Sequence, residues 1–205
     1  MNIAQELEEK LEISKSKYQT KDWRKDQDWY IDGKRNECEK YQFRLLKQIT
    51  KCNIDRTNDR IHCHKLEIIS KSDPMNEVDG FEYTEDFDGL YIKNDIKYYF
   101  NLKFVCNSGG AQTRTLREVY HHINHMILYL LKYKMTKQSC YFINILDGDT
   151  SNKAMALFDY LYKKIPVKEV KFVKEHIFIG DMHKFERYWK NKQLVAQQPP
   201  VELEV

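Results

Sequence analysis

Lys97-Tyr98-Tyr99-Phe100-Asn101-Leu102-Lys103-Phe104-Val105, followed by Asn107-Ser108-Gly109-Gly110-Ala111-Gln112-Thr113-Arg114, reads as a strand that breaks at glycine and leads into a long helix. Aromatic and β-branched residues favour the pleated, half-buried surface of a sheet. Side chains alternate along a strand, so Asn101, Lys103 and Val105 share one face, and Phe100, Leu102 and Phe104 the other. Beyond the glycines, Leu116, Val119, Tyr120, Ile123, Met126, Ile127, Leu130 and Leu131 recur at helical spacing. Thr115-Leu116-Arg117-Glu118 matches a capping box, which predicts a helix from Thr115 to Tyr133.

Working outward, residues 81–92 read as a neighbouring strand joined through the turn Lys93-Asn94-Asp95. His64–Ile69 reads as a short strand and Asp73-Pro74 as a loop. A helix is expected from Asn36 as N-cap, with Cys38, Tyr41, Leu45, Leu46 and Ile49 on its apolar face. Residues 1–20 read as a charged helix through Ile3, Leu7 and Leu11, and Asp32-Gly33 as a turn. Downstream, Tyr141–Leu146 has the composition of a buried strand, and Asp147-Gly148-Asp149 of a turn and helix cap. Ser151 begins a helix to about Lys164, Val170–Ile179 reads as a final strand, and His183–Trp189 as a last helix. The order predicts an α/β fold with a central mixed β-sheet flanked by helices. One domain over 1–195 is expected, with an N-terminal helical arm (about 1–30) and a mobile tail over 196–205.

The chain has 205 residues, 32% charged and 41% hydrophobic, which suits one globular domain with a real core. A net charge of +3 is too small to argue for a polyanion partner by itself. The charge is unevenly spread, however. Lys93–Lys137 carries many lysines and arginines against two acids, Asp95 and Glu118, which suits a polyanion site. Five irregularly spaced cysteines and no secretory leader pattern predict reduced thiols in an intracellular protein. No run approaches the ~18 apolar residues of a membrane span.

Three groups of residues can carry chemistry. Asp88, beside Gly89 at a strand entrance, is either turn chemistry or a cation ligand. Lys103 stands in an apolar strand, where an unpaired ammonium is costly. It must therefore meet an acid or a cleft, and Asp88 on the adjacent strand is in reach. The pair is a structural ion pair or, alternatively, a metal-binding acid beside a lysine that orients water and offsets phosphate charge. Mg²⁺ takes hard oxygen ligands and keeps several waters, so one or two carboxylates suffice. The loop Ser108, Gly109, Gly110, Gln112, Thr113, Arg114, Thr115, Arg117 offers donors where a helix begins, a setting that suits phosphate and base contacts. His121 and His125 stand at i, i+4 in the helix. They read as polar-face histidines or phosphate contacts, and His121 joins the expected DNA-binding set. Cys52, His62, Cys63 and His64 lack zinc-finger spacing.

The run Phe100-Asn101-Leu102-Lys103-Phe104, with Gly109-Gly110-Ala111-Gln112-Thr113-Arg114-Thr115-Leu116-Arg117-Glu118-Val119-Tyr120-His121, resembles type II restriction endonucleases of the PD-(D/E)xK nuclease superfamily. The ending Ile177-Phe178-Ile179-Gly180-Asp181 with Phe185 and Trp189 is similar too. The likeness covers about residues 30–190 and looks like a subgroup with a GGAQTR loop found in bacteria and large DNA viruses. It implies a restriction-endonuclease-like sheet, Mg²⁺-dependent hydrolysis of double-stranded DNA (Mn²⁺ as a possible substitute), and a homodimer cutting a short palindrome. Asp88 matches the metal-binding acid and Lys103 the catalytic lysine. Glu37, with Glu39 second, matches the glutamate such enzymes add from an early helix. Asn101 occupies a slot usually held by Asp or Glu, so the metal set Asp88, Asn101, Glu37 carries one charge fewer. The alternative is a catalytically impaired DNA-binding protein on the same fold.

Overall fold

The computed structural model describes residues 13–31, 36–71, 84–107, 109–134 and 140–196. Ser108, Asp32-Gly33, Asp73-Pro74, the expected helix over 1–12 and most of the expected tail lie outside them. Residues 13–20 are extended around a 3-10 turn, Ser16–Tyr18, rather than the end of a charged helix. Helix α1 (Lys21–Lys25) and helix α2 (Glu37–Thr50) follow. Asn36 does stand at the N-cap of α2, but in left-handed backbone and without a side-chain cap bond.

The expected strand at His64–Ile69 is a hairpin: β1 (Asp59–His62) turns at residues 63–66 into β2 (Glu67–Ser70). The stretch expected as one strand over 81–92 is split. Strand β3 (Thr84–Asp86) pairs antiparallel with β1, and β4 (Gly89–Lys93) pairs antiparallel with β5 (Ile96–Phe104). Phe87 anchors the break, its N–H bonded to Asp59 O and its ring 4.6 Å from Tyr99. Asn94 and Asp95 close the β4–β5 hairpin with positive φ, the backbone of a tight primed turn.

Helix α3 (Gly110–Tyr133) carries the chain across to β6 (Cys140–Asp147), parallel to β5. Helices α4 (Asp149–Phe158), α5 (Tyr160–Lys163) and α6 (Val167–His176) lead to β7 (Ile177–Gly180), parallel to β6. The expected strand Val170–Ile179 is thus mostly helix. The partly buried Phe172 and buried Val173 serve the core from α6, and only Ile177–Gly180 extends. Helix α7 (Met182–Ala196) closes the described chain. The fold is mixed α/β with two sheets, ordered β2-β1-β3 and β4-β5-β6-β7.

Alternation on β5 and β6 builds two cores. Tyr99, Phe142 and Leu146 meet Val119, Ile123, Met126 and Ile127 of α3 and Val173 of α6. On the opposite face Phe100, Leu102, Ile143 and Ile145 meet Tyr41, Leu45 and Leu46 of α2 and Met182, Phe185 and Trp189 of α7. Gly148 follows β6 with φ +96°, and a Cβ there would stand 2.2 Å from Val105 O, so only glycine fits this turn. Among the described residues no helix is long and apolar enough to cross a membrane.

Candidate functional site

Asp88 lies where the chain passes from the small sheet to the large one. Its N–H bonds Phe100 O at 2.8 Å, and its Oδ2 accepts Leu102 N–H at 2.6 Å. The carboxylate therefore takes a position on β5 that a ladder carbonyl would fill. Continuing the Gly89–Phe100 register by one residue sets Asp88 opposite Asn101. At Gly89 a Cβ would press on Ile54 and Phe43 at 3.0–3.1 Å, so glycine lets these two side chains close on the strand entrance.

Lys103 Nζ is 3.5 Å from Asp88 Oδ2, with the two side chains 35% and 21% exposed. A partly exposed pair at that distance stabilises a fold by well under about 1 kcal/mol. Three more groups share its field. Burial raises the Glu39 carboxyl above its ordinary value; Arg56, bonded at 2.7 Å, pulls it down, Asp88 pushes it up and Lys103 lowers it. Burial likewise raises Glu85, which also feels Lys103 and, from α3, Glu118. His122 is buried, and burial reinforced by Lys103 pushes it down to about 3. It therefore stays neutral, packed 5.4 Å from the Phe87 ring.

Asn101 is buried. Its Nδ2 donates to Asn144 Oδ1 at 3.1 Å, and Asn144 Nδ2 donates to Phe178 O, an amide relay across three strands. Asn101 Oδ1 has no partner. An unpaired buried oxygen on the residue opposite a half-buried carboxylate suits a hard, partly hydrated cation. It does not fit a closed cage: among the described residues no three His, Cys, Asp or Glu come together as a metal-holding set.

Asp88 thus meets Lys103 and stands opposite Asn101 in register, whereas Glu37 stands apart from them. Glu37 Oε1 accepts Ile31 N–H at 2.9 Å, and the residue lines a different cleft on α2. Glu39, two residues on, is the α2 acid in the field of Asp88 and Lys103.

Helix α3 begins five residues before the expected capping box, with Gly109 at its N-cap. Thr115 is inside the helix, its hydroxyl bonded to Ala111 O, and Thr113 Oγ1 bonds Gly109 O. Both hydroxyls are spent on backbone, the usual alternative to a cap for such residues in mid-helix. Gln112 is half-buried, with Oε1 2.8 Å from where a Gly109 Cβ would be. Arg114, Arg117 and His121 remain as the exposed donors, and their spacing sets them along one stripe of the helix. His125 is half-buried and its basicity is lowered by burial first and then by His121.

The sequence passed over Asp147. Far from a simple turn residue, it is wholly buried: it accepts Met182 N–H at 3.0 Å, Gln42 Nε2 at 2.7 Å and Ser16 Oγ at 3.4 Å. Burial pushes its carboxyl up to about 6, with nearby Asp181 adding to the rise. The available signal was an acid ending an apolar strand. Asp149 is the cap-like residue, accepting Asn107 N–H and bridging Lys153, and those bonds lower its carboxyl although burial opposes them. Ser151 is buried within α4 rather than capping it. All five cysteines are free thiols.

Comparison of the chain with protein-family models, with curated proteins and with solved structures gave no match.

Proposed function

We propose that the protein is a divalent-cation-dependent endonuclease of double-stranded DNA, of the type II restriction kind, cutting a short palindromic site as a homodimer. The observation that carries this reading is Lys103 paired with Asp88, opposite the unpaired Asn101 oxygen. A partly exposed acid and ammonium contribute little to stability and suit a phosphodiester, with the neutral Asn101 side chain buried on the neighbouring strand position.

In this reading Asp88 and Asn101 Oδ1 hold the cation, with Glu39 in place of Glu37 as the acid from the early helix. Mg²⁺, or Mn²⁺ in its stead, would polarise the phosphoryl oxygen and lower the pKa of bound water. Lys103 offsets charge at the scissile phosphate and orients the attacking water. Arg114, Arg117 and His121 contact the strand, and the first free amides of α3, from Gly110 on, suit a phosphate at a helix N-terminus. Gln112 serves through its backbone rather than as a base reader.

The test is incubation of plasmid DNA with the full chain and Mg²⁺ or Mn²⁺, followed by sequencing of product ends. Discrete fragments with a common end sequence are expected, and plasmid left intact under both metals contradicts the reading.

A second reading is favoured by one observation. The Asn101 amide is engaged in a buried relay and brings no charge. A DNA-binding protein on this scaffold without catalysis would keep its affinity in Lys103→Ala and show no metal dependence.

A further inference from the structure

A cleft of about 710 Å³ opens between the outer face of α2 and the segment 53–56, a volume within the range of small-molecule sites. Lys40, Arg44, Lys47 and Arg56 give it cations, Trp29 and Phe43 give it rings, and Glu37 is the one acid among the described residues that line it. Two of the lining residues each carry a buried polar atom without a partner, the acceptor Glu37 Oε2 and the donor Trp29 Nε1. Both are held in place by other contacts. Glu37 Oε1 is fixed by Ile31 N–H, and the Trp29 ring stacks on Tyr41 at 4.4 Å.

Buried donors and acceptors are nearly always satisfied, and an orphaned pair on one cleft calls for a ligand that supplies both complements. A nucleobase does so, because its pairing edge sets a donor beside an acceptor, and its faces suit aromatic walls. Cations round the rim suit the phosphates on either side. A bare phosphate would leave Glu37 repelling it, and an apolar ligand would leave both orphans unsatisfied.

We propose that this cleft takes one unpaired nucleotide of a DNA strand, its base edge on Glu37 and Trp29 and its phosphates on Lys40 and Arg44. This rests on the reading that the chain handles DNA, and it moves Glu37 from metal ligand to base reader.

The test is fluorescence anisotropy of the full chain, in EDTA, with a labelled single-stranded octanucleotide and with its abasic counterpart of equal charge. The base-bearing strand is expected to bind about 10-fold more tightly, a typical stacking and hydrogen-bond increment. Glu37→Gln, which keeps the bond from Ile31 N–H, should erase that ratio, with the abasic strand bound no more weakly than by the wild type. Trp29→Phe, which keeps a ring and deletes the N–H, should shrink it, and Arg44→Ala should weaken both strands alike. Equal binding of the two strands, or a ratio that survives Glu37→Gln in a folded variant, overturns the proposal. Because no metal or cleavage is involved, the nuclease reading fails separately. Intact plasmid with a base-dependent ratio would sink that reading alone, and cleavage without the ratio would sink this one alone.

Discussion

Asp88 and Asp147 are carboxylates at the same end of the same sheet, in opposite settings. Asp147 ends β6, opposite Phe104 of β5, with no exposed surface and three hydrogen-bond donors converging on it. Asp88 precedes β4 a few residues away on the other side of β5, half-buried, with one backbone donor and an ammonium at 3.5 Å. The first is satisfied by the protein and ties the N-terminal segment, α2 and α7 to the strand ends. The second is only partly satisfied and open to a ligand. Position at a strand end does not distinguish the two carboxylates; completeness of the local hydrogen bonding does.

The comparison breaks most sharply in the activity of Lys103→Ala. If the pair serves chemistry, cleavage falls by about 10³-fold, roughly 4 kcal/mol of barrier, while stability moves by less than about 1 kcal/mol. Single-turnover kinetics beside denaturant melts would measure both. Asp147→Ala should do the reverse. It strands Met182 N–H in the core, leaves Gln42 with only Lys103 O and Ser16 with only Asp181, and costs about 3 kcal/mol of stability in the same melts.

pH sharpens the contrast further. The folded carboxyl of Asp147 stands at about 6, above its ordinary 3.8. The folded state therefore binds this proton more tightly. Its contribution is fully present below pH 3.8 and is lost as pH rises through 6, by about 3 kcal/mol. His122 runs the other way. Its folded value of about 3 lies below the ordinary 6.5, so its neutral packing costs nothing above pH 6.5. Stability then drains as pH falls, by about 2 kcal/mol at pH 5. The two slopes oppose each other between pH 4 and 6. Urea melts across that range should show a flat wild-type profile, with stability falling as pH drops in Asp147→Asn and rising as pH drops in His122→Phe.

The smallest expected effect is at the α3 stripe. Arg114→Ala and Arg117→Ala should each weaken DNA binding modestly and reduce the slope of log affinity against log salt by about 0.9. Titrations at several salt concentrations would show it. An unchanged slope would remove these residues from the interface.

Much of the scaffold was legible because periodicity reports burial. The hairpin β4–β5, helix α3 and strand β6 all follow from alternating or helical apolar spacing. The Asp88–Lys103 meeting was legible for the same reason, since a lysine in an apolar strand needs a partner. The start of α3 was not, because Gly109-Gly110 looks like a loop and Thr115 like a cap, whereas the helix begins at Gly110 with a largely exposed first turn whose Thr113 N–H bonds Gly109 O. Helix α6 has the composition of a strand because Val170, Phe172 and Val173 are β-formers that pack here from a helix. Glu37 and Glu39 are two residues apart on α2, and sequence cannot tell which faces β5; helical geometry turns them about 200° apart. Asp147 escaped notice because Asp-Gly-Asp is common turn chemistry, and its three donors come from Ser16, Gln42 and Met182, remote in sequence.

The role of Asp88 is decided by the metal dependence of plasmid cleavage in wild type and in Asp88→Asn. That substitution keeps the oxygen that accepts Leu102 N–H and removes the charge. The account predicts discrete fragments from wild type with Mg²⁺, none in EDTA, and none from the variant at unchanged melting temperature. Cleavage that persists in Asp88→Asn, or in EDTA, would contradict it.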